Sequence, residues 1–218
     1  METKGLDFAA IPQAAIRVIT QPAAFFREMP KTGGFVEPLV FAVALGVVSG
    51  AIQAVTGILH LHPVGGAAAG VASIVLVPVF VAIFGFVGAG ILFVIWKLMG
   101  SQENYETAYR CGAYISAVGP ITTLLGIIPY LGAVLSLPIM TYYLVMASVE
   151  AHKIASQKAW KVFGLLAVIL LAMNLSGQYA ARRFAASVQG GLPGQSEEMK
   201  EQMEAIRKQI EEAQKNNR

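Results

Sequence analysis

The 218-residue chain is 56% apolar, 13% charged and carries a formal net charge of +3. Soluble domains carry ~25% charged residues to keep their surface in water, so much of this chain's outer surface must face something else. The small, scattered charge excludes a nucleic-acid binder, which needs a basic stripe against phosphates. The single cysteine, Cys111, excludes an internal disulfide or a cysteine-rich zinc site and reads as a small apolar filler. This is the composition of an integral membrane protein.

Residues 1–34 mix Glu2, Lys4, Asp7, Arg17, Arg27, Glu28 and Lys31 with no long apolar run. They read as a retained cytoplasmic segment, since a cleavable leader would open with a basic patch and a short apolar run. Thr20-Gln21-Pro22 offers a cap and a first-turn proline for a short helix through Met29, closed by Pro30, Gly33 and Gly34. Phe25 and Phe26 beside Arg27 suit either a helix lying at the membrane interface or one packed under a bundle.

A hydrocarbon core of ~30 Å takes ~20 helical residues to cross. Four uncharged stretches qualify: Phe35 to Leu59, with Glu37 at its edge, Val71 to Trp96, Ala113 to Val149, and Val162 to Ala181. Seventeen Val, Ile, Leu or Phe residues between Val71 and Trp96 favour insertion by ~5–10 kcal/mol at most. The third stretch is too long for one crossing and breaks at Ile128-Pro129-Tyr130-Leu131, because proline cannot donate to a helix. That leaves pieces of ~24 and ~28 Å at ~1.5 Å per residue. The expected fold is an all-α integral membrane protein, a five-span helical bundle over residues 35–181 whose short third and fourth spans are proline-interrupted. Three spans plus a re-entrant hairpin is the alternative. In the first span Ala42, Gly46, Gly50 and Ala54 fall on one face, and such small residues let helices approach closely, within the bundle or against a second copy.

Lys and Arg number four before the first span and then zero, two, zero and three in successive loops. That alternation places the N-terminus in the cytoplasm. Five crossings then put the C-terminus outside, as does a re-entrant hairpin, although Arg182 and Arg183 directly follow the last span. Residues 182–218 read as a linker around Gly190 to Gly194 and an amphipathic helix capped by Ser196. Its Met199, Met203, Ile206 and Ile210 recur at helical spacing, which suits a partner helix, a second copy or a solvated tail.

Catalysis within a membrane usually needs ionisable groups inside the bundle, and the spans contain none away from their edges. Glu37 and Glu150 sit at span ends and read as membrane-interface positions. His60 and His62 without a nearby carboxylate make a weak metal site. No phosphate-binding glycine loop or HExxH motif is present, so neither cofactor nor metal is expected. Pro120, Pro129 and Pro138, with Thr122, Thr123, Thr141, Tyr142 and Tyr143 nearby, could break helices and line a solute path.

The segments QPAAFFREM, Glu37-Pro38-Leu39, YETAYRCGAYISAVGP and IIPYLGAVLSLPIMTYYLVMASVEAHKIASQKAW together resemble the Yip (Ypt-interacting protein) domain family, in its bacterial branch, from Gln21 to Asn174. The resemblance implies a five-span helical fold, a cytoplasmic N-terminus and no known catalytic activity. Eukaryotic members are linked to Rab-type GTPases and carry Asp-Leu-Tyr-Gly-Pro before the first span. This chain has Glu37-Pro38 there, so the resemblance does not bring a GTPase partner with it. The expected role is a non-enzymatic multi-pass protein of the inner (plasma) membrane that organises the lipid bilayer or recruits a protein partner. A homo-oligomer could form through its spans or C-terminal helix. The alternative is a small transporter or channel for a neutral or weakly charged solute.

Overall fold

The computed structural model describes residues 9–59, 61, 66–189 and 202–208, and among these every regular element is helical. Two units are separated, Met1–Ala172 and Met173–Arg218. The first holds α1 (Ala10–Thr20), α2 (Pro22–Glu28), α3 (Val36–Ile58), α4 (Gly66–Leu98), α5 (Tyr105–Ile115), a 3-10 turn at Ser116–Val118, α6 (Gly119–Leu125) and α7 (Leu131–Glu150). It also holds the start of α8 (Ser156–Gln189), which ends in the second unit.

Among the described residues, four helices are long and apolar enough to cross a membrane: Val36–Ile58, Gly66–Leu98, Leu131–Glu150 and Ser156–Phe184. On α4, Val75, Phe80, Phe84 and Ile91 each leave more than half of their surface outside the protein. A contiguous apolar surface of that kind is what a helix facing lipid presents.

The segment expected to form the third span from Ala113 is not one continuous helix. Its first helix starts earlier, at Tyr105, because the Asn104 side chain accepts the amide of Thr107 and caps it. It then stops at Ile115, since the ring of Pro120 crowds the carbonyl of Ser116 four residues back and offers it no N–H. A tight turn carries the chain past this point before α6 resumes. The whole run lies alongside α3. Glu106 reaches Gly34 ahead of α3, Tyr114 packs on Phe41 with ring centroids 5.0 Å apart, and Gly119 borders Ser49. α7 then brings the chain back, so that Glu150 meets Arg27. In contrast to Pro120, Pro138 sits inside α7 without ending it.

α3 and α4 form the closest seam. Ala42 and Ala54 are buried, and Gly46 lies under Pro78. A methyl group added to Gly50 would stand 2.4 Å from the carbonyl oxygen of Ser73. The Ser73 hydroxyl in turn donates to the Gly50 carbonyl at 3.1 Å. The largest core cluster joins Val18, Phe26, Trp96, Cys111, Val145 and Phe163, from six different helices.

In the second unit, α8 continues to Gln189, with the Gln178 amide donating to Asn174 and Arg183 lying 5.0 Å from the Tyr179 ring centroid. Residues 202–208 are helical, with Met203 and Ile206 exposed. Met199, Ile210, His60 and His62 lie outside the described residues.

Candidate functional site

The described charged residues of the first unit gather where α3 and α8 begin and α4 and α7 end. Two glycines with positive φ, Gly33 at 123° and Gly34 at 86°, bend the chain between α2 and α3. This conformation costs glycine little and turns both backbone groups of Gly34 toward α5. Its amide donates to Glu106 Oε1 at 2.6 Å, and its carbonyl accepts from Arg110 Nη2 at 2.9 Å. Arg110 Nε also points at Glu106 Oε1, 3.4 Å away, and Nη1 faces Glu37 Oε2 at 3.8 Å. The Arg110 side chain is 1% exposed.

A guanidinium so deeply enclosed is unexpected from the sequence, which counts Arg110 as a loop charge. The available signal is local: Asn104 caps a helix, and Glu106 and Arg110 fall four apart on it. What burial adds is that Nη1 has no hydrogen-bond partner among the described residues. Compensation comes from the Glu37 carboxylate facing Nη1 and from Glu106 beside Nε.

Further pairs tie the same end together. Lys31 bonds Glu103, Arg27 grips both oxygens of Glu150 at 2.8 and 2.9 Å, and Arg17 pairs with Glu28. Lys158 donates to the carbonyl of Met99 at 2.9 Å. The carboxylate of Glu150, through its hydrogen bonds, holds the Arg27 guanidinium above its ordinary pKa. Beside these lies a buried stack. The Trp96 ring packs on His152 with centroids 3.9 Å apart, Trp96 Nε1 donates to Ser148 Oγ at 2.7 Å, and Ser101 shares a hydrogen bond with His152 Nδ1 at 2.8 Å. Burial pushes the His152 imidazole down to about 4, with Lys31 and Lys97 acting in the same direction and Glu103 opposing.

The other residues singled out in the sequence divide between this end and the bundle. Phe25 and Phe26 turn inward, Phe25 lying 4.9 Å from the Tyr114 ring, so α2 packs under the bundle rather than against headgroups through that pair. Glu37 and Glu150 both sit at this end and each faces an arginine. The hydroxyls of Thr122 and Thr141 donate to carbonyls of their own helices, Gly119 and Leu137. Thr123 is half-buried, Pro129 lies in the turn before α7, and Tyr142 is exposed with its ring against Tyr143. No group of three or more metal-ligating side chains occurs among the described residues.

Residues 16–177 match the Yip1 domain family. The chain belongs to that family. The match takes in the whole charged end and every helix of the first unit from the middle of α1 onward. Yip1 is not a known enzyme family. No curated protein and no solved structure matches the chain.

Proposed function

We propose that this Yip1-domain protein is a non-enzymatic multi-pass membrane protein whose charged end is a rigid platform. On it a protein partner is recruited or the surrounding membrane organised. The observation that carries this reading is the Arg110 cluster. One buried guanidinium fastens the α2–α3 loop to α5, while Lys31–Glu103, Arg27–Glu150 and Lys158–Met99 fasten α2, α4, α7 and α8 to the same face. Such ion pairs and hydrogen bonds, made across elements, hold a surface in one shape, which suits recognition better than turnover.

The topology we infer has five crossings, with α5, its 3-10 turn and α6 together making the third. Support comes from its course alongside α3, from Glu106 against Gly34 at the charged end to Gly119 against Ser49. The positively charged loops all lie at one end, which favours the cytoplasmic side of the inner (plasma) membrane for the N-terminus and the opposite side for the C-terminus. The exposed Met203 and Ile206 supply a helix face for a partner or a second copy.

Crosslinking in native membranes followed by affinity purification tests the reading, comparing the full chain with chains lacking residues 194–218 or carrying Arg110→Ala. Specific partners or oligomers lost with either change are the expected result. Recovery of a bare monomer from the full chain overturns it. The competing transporter reading draws on Pro120 and Pro138, but the hydroxyls of Thr122 and Thr141 beside them are already engaged by helix carbonyls. Solute flux equal to that of empty liposomes removes it.

A further inference from the structure

α4 and α7 touch at the charged end, where Trp96 bonds Ser148, and part below that point. The gap is a cleft of about 470 Å³ floored by α5, within the size range of small-molecule sites. Along α4 its wall runs from Phe80 to Leu92, ~18 Å at ~1.5 Å per residue, slightly more than half of a ~30 Å hydrocarbon core. Of the lining residues only Tyr109 and Ser116 bring polar side-chain atoms. The Ser116 hydroxyl donates to the Ala113 carbonyl at 2.6 Å, and the Tyr109 ring stacks on Phe86. The rest of the lining is apolar.

Glycines give the cleft its depth. A methyl group added to Gly85 or Gly88 meets no atom within 4 Å, unlike one added at Gly46 or Gly50 on the α3–α4 seam. The side chains lining such a cleft gain dispersion contacts from whatever chain enters it. The medium around α4 is hydrocarbon, so the filler at hand is hydrocarbon. Spread over its length, the volume gives a bore short of the ~10–12 Å of a helix with its side chains, which disfavours a helix of a second copy. A slim, flexible chain fits.

We infer that the cleft between α4 and α7 holds an acyl chain of a bilayer phospholipid. This goes beyond the platform reading and does not depend on it. The test uses the full chain in vesicles of phosphatidylethanolamine and phosphatidylglycerol, doped with a phosphatidylcholine whose acyl chain carries a diazirine. After photolysis, adducts are mapped by peptide mass spectrometry. The expected result is labelling of the α5 floor between Gly112 and Ser116, together with the exposed Leu165 to Leu170 of α8. Filling the cleft with Gly85→Leu/Gly88→Leu abolishes the floor adducts and preserves those on α8. Should that pair unfold, Met140→Trp fills the cleft from the α7 wall and the same loss is expected. An unlabelled floor in the native chain, as when a second copy covers it, overturns the inference. So does floor labelling that survives in a filled, folded variant.

Discussion

Arg110 and Gly34 stand 76 residues apart in the chain, yet the guanidinium of one donates to the carbonyl of the other at 2.9 Å. That contact makes the α2–α3 loop part of the bundle. Replacing Arg110 by Met is expected to destabilise the protein by about 2–4 kcal/mol, because Glu106 and the Gly34 carbonyl lose a charged donor inside the protein. Arg110→Lys recovers less than half of this, since an ammonium cannot reproduce the planar fork. Thermal unfolding in detergent micelles measures both, and equal stability of the Met variant would refute the role given to this side chain.

The α3–α4 seam makes a contrasting pair of substitutions. Gly50→Ala places a methyl group against the rigid backbone of Ser73 and Ile74 and is expected to cost about 1–3 kcal/mol through helix separation. Gly85→Ala meets open space and is expected to be neutral or to stabilise by about 0.5–1 kcal/mol, as alanine does in a helix interior. Similar effects of the two changes would contradict the close packing described for Gly50.

His152 gives the stability a pH dependence of definite sign. Its folded pKa, pushed down by burial to about 4, lies below the ordinary 6.5, so the unfolded chain binds the proton more readily. The contribution is complete above pH 6.5 and is lost as pH falls toward 4, by up to roughly 3 kcal/mol. Unfolding temperatures measured at pH 7 and pH 4.5 should differ more for the native chain than for His152→Asn. An unchanged difference would assign the acid sensitivity elsewhere.

The Arg27–Glu150 pair is more exposed on its arginine side, at 61%. Arg27→Gln is therefore expected to lower the unfolding temperature far less than Arg110→Met does, and less still as salt is raised. A loss as large as that of Arg110→Met would mean that the pair is shielded in the membrane-bound protein.

The spans of this Yip1-domain protein were legible because lipid imposes its demand residue by residue. A stretch such as Val71 to Trp96 has to be apolar along its whole length, whatever it packs against. The small residues from Ala42 to Ala54 carried the same kind of local message, since a stripe without side chains has few uses other than close approach. Proline chemistry likewise marked Pro120 and Pro129 as breaks.

Tertiary structure alone decided where the polar groups went. Nothing near Arg110 in sequence announces the Gly34 carbonyl that encloses it, and Phe25 and Phe26 would look the same on a helix facing headgroups. The stacking of Trp96 on His152 and the cleft below it depend on helices far apart in the chain meeting at set angles. Burial is a property of the pair that meets. Apolarity belongs to each residue by itself, and only that can be read along one strand of text.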